Sequence, residues 1–357
     1  MLIEKNLLKR EYYVIFINYC AGAQSGSLVA RNRAGLDNEP EIPLMIDAVP
    51  FFFALGAVAS LLRSGLRLPA AVFETLSIYL LLAIGLKGGV EIARADAAVL
   101  WRDSLLAIGL GALIPLLVFP LFRLRLGRAD AASLSAHYGS VSIVTFAVAS
   151  TLLASKGIAV EGHLALLAAL MEAPALVVAT LLARFGRPLA GGAAGGAALV
   201  HEVFANKSVL LLGGGILIGW IAGPEGAAPL SPLFVDLFKG ALCLFLLEMG
   251  LFATERLSEL RRAGVFLVGC GLLLPPVLAL CGWGAAQAMG LGLGGTVLMM
   301  TLAGSASYIA APAAMRVAIP EANPVLGVAA ALALTFPFNL LAGIPLYLWW
   351  AGRMAAA

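Results

Sequence analysis

A chain of 357 residues that is 61% hydrophobic and 12% charged is too apolar for a soluble domain, where about 45–50% apolar and about 25% charged is usual. The net charge of +3 comes with no basic run interleaved with aromatics, which excludes a nucleic-acid partner; Cys20, Cys243, Cys270 and Cys281 and the histidines His137, His163 and His201 show no CxxC, HExxH or other metal spacing. The composition is that of an all-α, polytopic membrane protein.

Residues 1–44 stand apart. Their longest apolar run, VIFINYCAGA, falls short of the roughly 20 residues that span a bilayer. They read as an extension, disordered or an upstream mis-start, because Met45 opens MIDAVPFFFALG like a natural beginning. From there the apolar stretches separate at charges and Gly/Pro into spans at about 45–62, 70–93, 101–122, 131–154, 160–184, 207–223, 231–254, 264–288, 293–317 and 325–350. Helices are expected throughout, since a lipid-facing backbone must satisfy its own hydrogen bonds. Trp101, Trp220, Trp349 and Trp350 fall near span ends, as interfacial aromatics do.

Lys and Arg set the expected orientation. The side that holds the loop after the first span receives twelve of them, among them Arg63, Arg123, Arg187 and Arg262, against five on the other side. The richer side is expected to be cytoplasmic, placing the Met45 end and the C-terminus outside. Lys5, Lys9, Arg10, Arg31 and Arg33 would then have to be translocated, a second reason to set residues 1–44 aside.

The chain repeats itself. GSVS at 139–142 matches GSAS at 304–307 and AIGLKGG at 83–89 matches EMGLFAT at 248–254, each at an offset of 165. Pro174 and Pro337 align at 163, and GALIPLL at 111–117 aligns with GLLLPPV at 271–277 at 160. The expected layout is a first five-helix repeat at 45–185, a cytoplasmic linker at 186–206 and a second repeat at 207–352. An odd number of spans inverts the second copy, so the fold expected is ten transmembrane helices in two inverted five-helix repeats, with helices 4 and 9 interrupted at the GSxS motifs.

Interrupted helices expose amide groups and a partial positive charge within the membrane, a cradle for a small anion. The candidates for substrate binding are therefore Gly139, Ser140, Val141 and Ser142 in the first break and Gly304, Ser305, Ala306, Ser307 and Tyr308 in the second. The plainer alternative is close helix packing by small residues. Glu172 lies mid-span in LMEAPAL beside Pro174 and is the candidate ion-coupling carboxylate; its repeat partner is Thr335, with Asn339 one turn on. With Thr145 these would offer oxygen ligands to a hard cation such as Na+, the only metal expected. Lys87 reads as a snorkelling lysine, and Asp236 with Lys239 as a mutually neutralising i,i+3 pair. His137 lies three residues before Ser140 and is the sole hint of a nucleophile with a base, with no carboxylate placed to orient it.

ETLSIYLLLAIGLKGGVEI, AHYGSVSIVTFAVASTLL, ALMEAPALVVA and the block from Gly304 to Pro324 resemble the sodium-dependent bicarbonate transporter family over about 45–350. The resemblance implies a core and a gate domain, a homotrimer, elevator-like movement, and bicarbonate held between the two breaks. It implies Na+-dependent bicarbonate uptake across the bacterial inner membrane, with a PII-like regulator as a further partner. Glu172 stands where cyanobacterial members have aspartate. Tyr308 replaces an aspartate and Ala306 a serine at the second break, and Ile143 and Val144 replace a Gly-Ser pair at the first. Two alternatives accompany this expectation: a Na+- or H+-coupled transporter of another small anion or carboxylate, and, remotely, a membrane-embedded hydrolase.

Overall fold

The computed structural model describes residues 48–93, 96–184 and 207–355, without the side chains of 256–263; the expected extension 1–44 and the linker 186–206 lie outside the described residues. The described residues are helical almost throughout. In chain order the helices are α1 (Val49–Leu61), α2 (Ala70–Ile92), α3 (Ala97–Arg123), α4 (Arg128–Gly139), α5 (Ile143–Ser155), α6 (Leu164–Arg184), α7 (Lys207–Ala227), α8 (Phe238–Met289), α9 (Leu293–Ala303) and α10 (Ala310–Ala318). The final run, α11 (Pro324–Ala355), contains π turns at Ala331–Thr335 and Asn339–Gly343, on either side of Pro337.

Eight segments are long and apolar enough to cross a membrane. The protein is a multi-pass membrane protein. α8 supplies two of these segments, because Gly264 takes φ 82°, a left-handed conformation open to glycine, and turns the chain between them. Ten spans were expected from the sequence. α1, with 13 residues, reaches about 20 Å, and α9 is one half of a divided segment, so neither meets the length of a full span.

The two predicted interruptions are present. α4 ends at Gly139 and α5 begins at Ile143; α9 ends at Ala303 and α10 begins at Ala310. Each half-helix of 9 to 13 residues is about 14–20 Å long, roughly half the hydrocarbon thickness of about 30 Å.

Glycine decides which helices can pack closest. A methyl at Gly85 of α2 would strike the Leu212 carbonyl and Gly215 of α7, and one at Gly250 of α8 would strike the Phe53 carbonyl and Ala57 of α1. α2 therefore lies directly on α7, and α1 on α8, backbone against backbone. The same device joins Gly111 of α3 to Met171 of α6, and Gly271 of α8 makes room for the Leu334 side chain of α11. At the breaks, Gly139 sits against Pro115 and Gly304 against the Pro275 carbonyl, so the unwound segments rest on the two proline-bearing helices α3 and α8.

Candidate transport site at the paired breaks

The breaks touch. The Ser307 amide donates to the carbonyls of His137 (2.7 Å) and Ser140 (3.0 Å), and the Ser142 amide donates to Ser305 Oγ (2.9 Å). Backbone groups freed by unwinding one segment are thus satisfied by the other, which removes the cost of leaving them bare in a membrane interior. His137 adds a side-chain contact, its Nδ1 lying 2.6 Å from the Ser307 carbonyl. A carbonyl is an acceptor only, so Nδ1 carries the proton.

The four serines have different duties. Ser142 Oγ caps α5 by accepting from the Thr145 amide (3.3 Å) and hydroxyl (2.8 Å). Ser307 Oγ accepts from the Ala311 amide in the first turn of α10 (3.2 Å). Ser305 Oγ donates to the Leu302 carbonyl (2.8 Å). Ser140 Oγ is buried and has no hydrogen-bond partner among the described residues. A side chain that leaves its hydroxyl bare costs about 1–3 kcal/mol unless water or a ligand completes it.

Beside the breaks lies a small cavity of ≈ 20 Å³. One water needs about 10–15 Å³, so in this state the cavity admits a single water-sized body. One wall is built by Val141, Ser142, Ile143 and Val144 from the first break and Ser307 and Tyr308 from the second. Glu172 of α6 is in the same wall; it is 1% exposed, and its Oε2 has no hydrogen-bond partner among the described residues. The facing wall is Ser77, Leu80, Leu81 and Ile84 of α2, Ser208 of α7 and Phe245 of α8. The starts of α5 and α10 both reach this cavity, so their positive dipole ends and the Glu172 carboxyl share one small space. Such a site offers amide donors and hydroxyls to an anion and a carboxylate to a cation.

Residues 49–352 match the family model of the Na+-dependent bicarbonate transporter superfamily. The chain belongs to that superfamily. No curated protein matches it.

For this superfamily member the structure separates the residues singled out from the sequence. Val141, Ser142, Ser307, Tyr308 and Glu172 line one cavity. Gly139 and Gly304 are spacers, with Pro115 and Pro275 where a side chain would stand. Ala306 is buried between the two serines of its break. Thr145 is occupied by Ser142. Thr335 and Asn339 do not join Glu172: Thr335 bonds Tyr138 (3.0 Å) and the Gly271 carbonyl (3.1 Å), while Asn339 donates to the Gly304 carbonyl (2.8 Å) and accepts from Tyr347 (2.8 Å). Asn339 braces the second break at Gly304, and Thr335 ties α11 to α4 and α8. The suggested His137–Ser140 dyad does not form, because the His137 imidazole is turned to Ser307.

Sequence reasoning missed the facing wall. Ser77 and Ser208 are two hydroxyls in otherwise apolar helices, a signal of the same kind that marked the breaks, but without a repeated motif around them. It also missed Asp103. That residue is fully buried and holds Arg102 Nε at 2.9 Å and His163 Nε2 at 3.0 Å, while Arg102 reaches the Met289 carbonyl, tying the starts of α3 and α6 to the end of α8.

Proposed function

We propose that the protein is a secondary transporter of bicarbonate, driven by Na+ and working by an elevator-like movement. The observation that carries this reading is the cavity that Glu172, with a bare oxygen, lines together with the two broken-helix starts. A sodium ion needs oxygen ligands and charge; Glu172, Ser142 and Ser307 offer both. Bicarbonate needs donors for its oxygens and an acceptor for its one proton, which serine hydroxyls and helix-start amides supply.

Bicarbonate has four heavy atoms and does not fit a one-water space, so the walls must part to admit it. The division of the cavity supports this. One wall belongs to the breaks and α6, the other to α2, α7 and α8, so a slide between the two groups of helices opens it. In this reading the first group, with α3, α11 and the part of α8 after Gly264, is the moving core. α2 on α7 and α1 on the part of α8 before Gly264 form the gate, and the gate is the seat of a homotrimer.

The ten-helix, inverted-repeat reading is supported by matched contacts. The offset of 165 that relates GSVS to GSAS also separates Gly85 from Gly250, and each of these glycines meets a carbonyl of the other half's first helix. Gly111 on Met171 and Gly271 on Leu334 form a second matched pair. With α1 as the first span, α4–α5 as the fourth and α9–α10 as the ninth, the layout is 45–185 and 207–352 about a cytoplasmic linker, in the inner membrane with both ends of this unit outside. A PII-like regulator would dock on the cytoplasmic side.

A second reading keeps the fold and the coupling. Leu80, Leu81, Val141, Ile143, Val144 and Phe245 make the cavity largely apolar, which favours a small carboxylate with an alkyl group over a fully hydrated anion. The deciding experiment is uptake of labelled bicarbonate by reconstituted full-length protein, with a Na+ gradient, without one, and against excess unlabelled acetate or propionate. Na+-stimulated uptake that these carboxylates do not suppress supports the first reading; suppression supports the second; no Na+ stimulation removes Na+ from both.

A further inference from the structure

A second, larger cavity of ≈ 470 Å³ adjoins the small one. The relationship is written along two helices. On α2, Leu80 and Ile84 line the small cavity, while Ile84, Lys87 and Glu91 line the large one. On α5, Ile143 and Ala147 line the small cavity, while Ala147, Ser150 and Thr151 line the large one. Each set falls on one helical face by i,i+3 and i,i+4 spacing. Ile84 and Ala147 are common to both cavities and form the partition between them.

We propose that the large cavity is an antechamber that gathers small anions for the transport site, with Lys87 as the capturing charge and Ile84, against Ala147, as the shutter. This rests on the reading of the small cavity as the transport site. Lys87 is exposed within the antechamber and makes no hydrogen bond or ion pair among the described residues. It stands three residues beyond Ile84, so about 4.5 Å further along the axis. Of the other charges in the lining, Glu161 Oε1 accepts from the Gly292 amide at the start of α9 (2.7 Å) while its Oε2 is buried with no hydrogen-bond partner among the described residues, and Glu91 and Lys239 each have interactions of their own. Ser150 Oγ, buried and without a partner, offers a hydroxyl on the opposite helix. An ammonium with no ion-pair partner, set in a recess, raises the local concentration of anions around it, and salt weakens the effect.

The test uses reconstituted full-length protein carrying Thr151→Cys in the antechamber, with the chain lacking that change as background. Reaction rates are measured with an anionic and a cationic thiol reagent that do not cross membranes. Lys87→Gln should lower the anionic-to-cationic rate ratio about three- to tenfold, Lys87→Arg should restore it, and high salt should shrink the difference. A ratio untouched by Lys87→Gln overturns the capture role. In the same vesicles, Lys87→Gln should raise the KM for the transported anion by a similar factor and leave kcat in place; a fall in kcat at constant KM also overturns it. For the shutter, Ser142→Cys should react far more slowly than Thr151→Cys, and Ile84→Ala should narrow that gap; equal rates before the change overturn the partition. The thiol measurements need no transported substrate, so a protein that moves no bicarbonate would defeat the proposed function and leave this test standing.

Discussion

His137 grips Ser307 from two directions: its carbonyl accepts from the Ser307 amide at 2.7 Å, and its imidazole Nδ1 meets the Ser307 carbonyl at 2.6 Å. One residue in the last turn of α4 thereby fixes the peptide groups on both sides of a residue in the opposite break. Gly327 of α11 lies against the imidazole so closely that a methyl there would overlap the ring.

Replacing His137 by Ala should leave the Ser307 carbonyl without a buried donor, at a cost of about 1–3 kcal/mol. Thermal unfolding in detergent should show the loss, and uptake should fall more than tenfold. Asn, whose amide can donate to the same carbonyl, should recover part of both. Gly327→Ala should reproduce the His137→Ala uptake defect by displacing the ring. Full activity in Gly327→Ala would show that the ring position is unimportant.

Glu172→Gln tests the coupling role. The change keeps shape and removes charge, so the fold should hold, while Na+ stimulation of uptake should drop by at least about tenfold, a differential binding loss of roughly 1.4 kcal/mol. Uptake measured across a series of Na+ concentrations reads this directly. Unchanged Na+ dependence would remove Glu172 from ion binding.

The serines should divide. Ser305→Ala deletes the acceptor for the Ser142 amide and should lower stability by about 1 kcal/mol or more. Ser140→Ala removes a hydroxyl that has no partner among the described residues, so stability should hold or rise slightly. If that hydroxyl serves the substrate, uptake should fall all the same. A Ser140→Ala protein with normal uptake would leave substrate contact to the other break residues.

Asp103→Ala should be among the most destabilising changes outside the breaks. It strips the buried partner from Arg102 and His163 together, and losing one side of a buried ion pair costs on the order of 3 kcal/mol. Arg102 is half exposed, which softens the loss. Asp103→Asn retains hydrogen bonding and should cost less. Thermal unfolding of both variants checks the order.

Much of this was written locally in the chain. The breaks announced themselves because Gly and Ser pairs interrupt apolar runs, and Glu172 because a lone carboxylate in such a run is costly. The differing fates of Ser140 and Ser305 were not legible: they occupy equivalent motif positions, and only the register between the breaks decides which hydroxyl is satisfied. Thr335 and Asn339 were drawn toward Glu172 by repeat logic, yet the π turns around Pro337 aim them at Tyr138 and Gly304 instead. Asp103 was missed because what holds it in place, the pairing with His163, lies sixty residues away in the chain. The antechamber needs α2 and α5 to line one space, an arrangement that no motif encodes.

The crossed glycine contacts carry a consequence for assembly. α1 finds its close partner in α8, and α2 finds its partner in α7, so neither portion of the polypeptide on its own can cover its small-residue stripes. Cutting the gene between residues 185 and 206 should give two fragments that are each unstable in the bilayer when made singly, yet rescue one another when synthesised together. Complementation of this kind would show that the glycine seams, rather than the peptide link, hold the two portions together.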